Sequence, residues 1–224
     1  MASNLDLQEQ EQLDELKAFW KQYGNLITWG LTLVLGGFAA FNGWNYWQRD
    51  QGTKAAVMYE EFDKAVQAGD ADQAGRVFSD LKERYARTAY AQQAGLQAAK
   101  LQADKGKDEA AQASLTWVAE QATDDEYKAL AHLRLSALLL DKKAYDDALK
   151  QVDAIKSPEF AALADDRRGD ILLASGKKDD AVKAYLASYK AMSDQLDYRR
   201  IVESKLASLG AAPEPAAAAS GVAK

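Results

Sequence analysis

Few residues in this chain have the types and spacing that chemistry needs. Cysteine is absent and histidine occurs once, as His132. Thiol nucleophiles, disulfides, zinc ribbons, iron–sulfur sites and imidazole-rich metal centres are therefore excluded together. What remains are four acidic pairs, Asp124-Asp125, Asp146-Asp147, Asp165-Asp166 and Asp179-Asp180, and two basic pairs, Arg167-Arg168 and Arg199-Arg200. Paired carboxylates can hold a cation or divide acid and base duties in glycoside hydrolysis. Neighbours in sequence, however, do not share a helix face. Three of the acidic pairs stand where helices are expected to open, so capping of free N–H groups at the positive end of the dipole explains them. The arginine pairs have the chemistry to take phosphate, but Asp166, Asp170 and Glu203 are close enough in sequence to pair with them. No glycine-rich phosphate loop exists, because Gly36-Gly37 falls inside an apolar run. His132 sits at a packing position. The reading is a non-enzyme with no catalytic residue, cofactor or metal.

The elements that carry these residues must be helical. The 224 residues hold 28 basic and 34 acidic side chains, a net charge of −6, which argues against a nucleic-acid partner. Hydrophobic residues make up 48 %, enough for a sizeable core. Three prolines, at 158, 213 and 215, leave almost nothing to interrupt helix before residue 157. In residues 49–224 alternating β-branched runs and Asn-Gly turns are absent, while Ala, Leu, Lys, Gln and Glu abound. An all-α chain is expected.

A mean hydropathy of −0.41 conceals one segment of another kind. Residues 22–48 carry no charge, a run of 27, and roughly 20 apolar residues suffice to cross a hydrocarbon core as helix. Phe19, Trp20 and Tyr23 mark one edge and Trp44, Tyr46 and Trp47 the other, the headgroup level that amphipathic rings prefer. The acidic stretch before the run and the bulky residues after it do not fit a cleaved signal peptide, so an uncleaved single-pass anchor is expected. Lys17 and Lys21 lie upstream and Arg49, Lys54 and Lys64 downstream, so the positive-inside bias selects no orientation. Thr28, Thr32, Gly36 and Ala40 recur at i+4, a ridge of small residues where another membrane helix could approach closely.

Beyond the run an internal repeat appears. Four linkers begin at Gly69, Gly106, Lys143 and Gly176, spaced 37, 37 and 33 residues apart. Each offers a residue suited to the left-handed closure of one helix, then carboxylates to open the next. Five residues after the closing residue stands Ala74, Ala111, Ala148 or Ala181; nine after it, Phe78, Leu115, Val152 or Tyr185; seven before it, Phe62, Ala99, Ser136 or Gly169. This is the pattern of a tetratricopeptide-like helical-repeat solenoid, closed by a last helix near 194–209. The expected organisation is an acidic segment at 1–21, a transmembrane anchor at 22–48, the repeat domain at 49–209 and a disordered Ala/Pro tail at 210–224.

In such arrays the first helix of each repeat lines the concave face. Counting from the closing residues places Tyr59, Val66, Leu96, Leu130, Leu133, Leu140, Leu163 and Leu173 there, an apolar groove suited to an amphipathic or unfolded segment. The competing reading makes these leucines core. Aspartate at Leu133 separates the two, since only a core position would suffer a buried charge.

Several blocks together resemble the ancillary SecYEG translocon subunit (YfgM-like) family: residues 13–24 before the run, Gly43-Trp44-Asn45-Tyr46-Trp47 after it, and 128–135 and 164–177 in the repeats. The likeness runs from about Leu13 to Leu209. It implies an inner-membrane protein with a cytoplasmic N-terminus and a periplasmic repeat domain. It also implies partners: the SecYEG translocon, a membrane-anchored periplasmic prolyl-isomerase-like chaperone, and unfolded secreted clients. The expected function is to assist newly secreted proteins through the periplasm. The alternative is a structural envelope scaffold organising another multiprotein assembly through its repeats.

Overall fold

The computed structural model of the chain describes residues 7–193 and 196–213. Most of the expected tail, Asp194 and the first six residues of the acidic segment lie outside the described residues. Two units divide the chain, 1–51 and 52–224.

The first unit belongs to helix α1, which runs Leu7–Gln67. It holds the apolar run, and an 18-residue window there reaches a mean hydropathy of 1.4, long and apolar enough to cross a membrane. Its large side chains point outward: Leu26 is 74 % exposed and Leu33 72 %. Such a continuous apolar surface needs lipid or protein around it. The polar groups within it turn back to their own helix. Thr28 Oγ1 donates to Gly24 O at 2.7 Å, Thr32 Oγ1 to Thr28 O at 2.8 Å and Asn42 Nδ2 to Phe38 O at 2.9 Å. Self-satisfaction of this kind is what hydrocarbon demands. Phe19 and Tyr23 pack at 5.1 Å and Trp44 and Trp47 at 5.2 Å, one aromatic pair near each end of the run. Helix continues without a break through 48 and 49, where the sequence placed a boundary. A lone Gly52 costs only about 1 kcal/mol in a helix and is too weak to end one.

In the second unit the last turns of α1 pair with α2 (Ala71–Arg84). Three further hairpins follow: α3 (Ala89–Asp104) with α4 (Asp108–Gln121), α5 (Asp125–Asp141) with α6 (Tyr145–Asp153), and α7 (Ala161–Ala174) with α8 (Lys178–Ala191). A 3-10 turn at Pro158–Phe160 leads into α7, and α9 (Asp197–Ser208) ends the array. No strand occurs among the described residues.

Each hairpin turns at the residue the spacing singled out. Gly69, Gly106 and Gly176 have φ of 68°, 70° and 82°, and Lys143 adopts 59° despite its side chain. The residue after each donates its N–H back to a carbonyl of the last turn: Asp70 to Ala65, Lys107 to Gln102, Ala144 to Leu139 and Lys177 to Leu172, all at 2.8–3.0 Å. Asp70 also caps α2, accepting from Asp72 N at 3.1 Å and Gln73 N at 2.9 Å, whereas the other three residues have no side-chain acceptor to offer. Lys107, Ala144 and Lys177 hold the N-cap positions of α4, α6 and α8 without a capping bond. Here the sequence expectation needs correction. Asp124 does cap α5, accepting from Glu126 N at 2.8 Å. Asp146-Asp147 and Asp179-Asp180 begin two positions after the N-cap, too late to cap. They act through the dipole of the first turn, and Asp147 and Asp180 also meet Lys150 and Lys183 at 2.8 and 2.9 Å.

The alanines five residues after closure and the bulky residues nine after it are all buried, as are Phe62, Ala99, Ser136 and Gly169. They distribute over three clusters: one around Phe62, Phe78 and Leu81, a central one around Leu115, Val118, Leu135 and Val152, and one around Tyr185, Val202 and Leu206.

Candidate interaction site on the repeat domain

The eight residues assigned to the groove do not share one environment. Tyr59 stacks beside Phe62 at 5.6 Å and Tyr90 at 5.4 Å, and its hydroxyl accepts from Gln97 Nε2 at 2.9 Å. Val66 packs against the same N-terminal cluster. Leu96 is buried in the central cluster, with Leu130 and Leu140 partly covered against it. Leu133 is only 9 % exposed, so an aspartate there would be a buried charge. Leu163 leans on the C-terminal cluster, and Leu173 alone is exposed, at 38 %. Two of the eight are thus buried, five partly covered and one exposed, so they do not form one open apolar strip.

Ten residues before closure, the first three repeats carry Tyr59, Leu96 and Leu133; the fourth carries Asp166. Its carboxylate is 3 % exposed and bonded to α9. Lys205 Nζ donates to Asp166 Oδ1 at 2.8 Å and Oδ2 at 3.0 Å, and to Asp170 Oδ1 at 2.6 Å. Tyr198 OH donates to Asp166 Oδ2 at 2.8 Å and Tyr185 OH to Asp170 Oδ1 at 2.7 Å. Arg167 Nη1 lies 3.7 Å from Asp170 Oδ2, which brings two carboxylates and two cations together. Arg167 Nε remains buried without a partner. Burial, the hydrogen bond to Asp170 and the nearby carboxylates push the Tyr185 phenol far above its ordinary range. Burial first, and then Asp166, raise Tyr198 to about 12. The Tyr185 ring reaches Asp170 by filling the space over Gly169, where a Cβ would stand 2.5 Å from ring carbon Cδ1. The cluster locks α9 across α7. Sequence reading paired these arginines with near neighbours, and Arg168 does bond Asp165 and, at 2.9 Å, Asp153. It missed Lys205, which meets Asp166 across 39 residues. The one legible signal was a carboxylate at a repeat position otherwise apolar.

His132 is occupied structurally, its Nδ1 2.8 Å from Gln151 Oε1. Among the described residues no group of three or more His, Asp or Glu is placed to hold a metal ion. On the small-residue ridge, both threonine hydroxyls are spent on backbone carbonyls. A Cβ at Gly36 would meet nothing within 4 Å, so the ridge is open to a neighbour.

A family model described as a tetratricopeptide repeat-like domain matches residues 17–211. A protein of Neisseria gonorrhoeae named ancillary SecYEG translocon subunit is 30 % identical over 91 % of this chain and 98 % of its own length. Proteins of the same name from Escherichia coli and Haemophilus influenzae are 31 % and 29 % identical, over 82 % and 77 % of this chain and 88 % and 84 % of theirs. Among solved structures, MamA (residue 41 to the end) from Desulfovibrio magneticus RS-1 superposes with a TM-score of 0.52 at 17 % identity, covering 70 % of this chain and 86 % of that one. At that identity the likeness concerns the fold alone. With an N-terminal apolar helix, four hairpins and a closing helix, and relatives matched over nearly their full lengths, the chain belongs to the ancillary SecYEG translocon subunit family.

Proposed function

We propose that this chain is a non-enzymatic subunit held in the bacterial inner membrane beside the SecYEG translocon, its N-terminus cytoplasmic and its repeat domain periplasmic. There it meets a membrane-anchored prolyl-isomerase-like chaperone and assists newly secreted proteins through the periplasm. The observation that carries the reading is that one chain holds a span-competent, outwardly apolar helix and a tetratricopeptide-like domain, and that relatives named for the translocon match it over nearly their whole length. Docking, and not chemistry, suits these parts. The ridge of Thr28, Thr32, Gly36 and Ala40 is the surface for a membrane partner, since small residues let helix backbones approach. On the repeat domain, the partly open members of the groove (Tyr59, Val66, Leu130, Leu140, Leu163 and Leu173) border the contact surface.

Purification of the full chain in mild detergent tests the reading. Recovery of translocon and chaperone subunits is expected, and should weaken for a Gly36→Leu/Ala40→Leu variant that still inserts. Recovery of peptidoglycan-synthesis or outer-membrane assembly proteins instead would favour the envelope-scaffold alternative. Orientation is read separately: an alkaline phosphatase fusion after Leu209 should be active, and an inactive fusion would reverse the topology.

A further inference from the structure

Between α3 and α5, with α4 beneath, lies a cavity of about 370 Å³. Its floor is apolar, built from Ala111 and Leu115 with Leu138 beside them, and Arg134 stands in its wall. Arg134 Nη1 donates to Leu96 O across the two helices at 3.0 Å. Among the described residues, no carboxylate lies within ion-pair reach of this guanidinium. Both arginines of α7, by contrast, face aspartates. Burial makes the cation of Arg134 costlier than in water and pulls its pKa down. A guanidinium carries five N–H donors, and one bond to a carbonyl leaves a fork free for a carboxylate. The other charges of the trough do not compete for it. Asp104 is taken by Lys100 at 2.8 Å. Asp141, also in the wall, is seven residues along α5, roughly 10 Å away by helix rise.

We propose that this trough binds an extended, mostly apolar peptide segment through one internal acidic side chain, whose carboxylate pairs with Arg134 while the flanking apolar residues cover the floor. This rests on the repeat domain being a docking module and names the chemistry it recognises. An apolar segment alone would leave a half-buried cation uncompensated, and a freely solvated acidic peptide would waste the floor. Asp141 adds selectivity, repelling a second acidic residue at the far end.

Three labelled peptides of about eight residues, long enough to cover roughly 26 Å extended, serve as probes. All contain Leu, Ala and Ser. One has a central Glu and an amidated end, one has Gln in its place, and one has Gln with a free C-terminal carboxylate. Binding to the full chain in lipid nanodiscs is followed by fluorescence anisotropy. The Glu peptide should bind about tenfold tighter than its Gln counterpart, the factor that one charge-assisted hydrogen bond supplies. Arg134→Gln should erase that preference, and Asp141→Asn should strengthen Glu-peptide binding. Equal binding of the Glu and Gln peptides, a preference that survives Arg134→Gln, or selection of the free C-terminus overturns the proposal. If Arg134→Gln fails to fold, Asp141→Asn decides, and no gain there overturns it equally. Copurification with SecYEG is measured on the same preparations. Its loss beside an intact Glu preference refutes the translocon reading alone, whereas its retention without that preference refutes the trough alone.

Discussion

Replacing Lys205 with Met should destabilise the C-terminal end of the repeat domain more than any neighbouring surface change. The methionine keeps most of the side chain's length but leaves Asp166 and Asp170 with only Arg167, 3.7 Å from Asp170, for charge compensation. Removing one partner of a buried ion pair costs about 3–5 kcal/mol. Lys205 is 27 % exposed, so water softens the loss and about 3 kcal/mol is expected. For a chain of this size that is a fall in melting temperature of roughly 6–12 °C. Thermal melts and hydrogen exchange of the full chain in detergent follow the change, with α9 losing protection first because it is held to α7 by this cluster. The companion variant Asp166→Leu/Lys205→Met restores the leucine that the two preceding repeats carry at that position. Exchanging a buried pair for apolar residues is near neutral, so the double variant should lie within about 1 kcal/mol of wild type. A double variant as unstable as Lys205→Met refutes the reasoning, because the damage would then come from lost packing and not from stranded charge.

Gly169→Ala sets a helix-propensity gain of about 1 kcal/mol against a methyl driven into the Tyr185 ring. The ring is held by Asp170, so overpacking of about 1–3 kcal/mol prevails, and chemical denaturation should reveal a net loss. Lys143→Gly should stabilise by about 0.5–1 kcal/mol in the same assay, because it relieves the only non-glycine residue at positive φ among the described residues. Alkaline melts report on Tyr198. Unfolded tyrosine titrates near 10, whereas the folded group holds its proton to about 12, so its contribution is fully present below pH 10 and lost as pH rises towards 12. Tyr198→Phe should make that decline shallower.

The repeat was legible because its signals answer to hard constraints. A left-handed closure admits glycine readily, and close helix crossing admits alanine, so Gly106, Gly176, Ala111 and Ala181 announced themselves. Even Lys143 was found by spacing alone, and the backbone places it in the same left-handed conformation. The membrane run was equally plain, since uncharged length is a one-dimensional property. Less legible was everything set by distance in space. Arg167 had carboxylates nearby in sequence, whereas the partner of Asp166 comes from α9, which only the superhelix brings across. Arg134 could not be distinguished from a solvated arginine until α3 was packed beside it. Whether the groove leucines were surface or core, which the sequence left open, was undecided for the same reason. Periodicity names the face a residue occupies, but neighbouring helices decide how much of that face stays open.

Site-specific photocrosslinking in living cells, from positions on the membrane helix and on the concave face, with adducts identified by mass spectrometry, tests the central claim most directly. Probes at Thr32 and Gly36 should capture SecYEG subunits, and probes at Leu173 and Lys100 should capture the periplasmic chaperone or secreted chains. Adducts confined to cytoplasmic proteins from the repeat domain, or to cell-wall machinery from both regions, would contradict it.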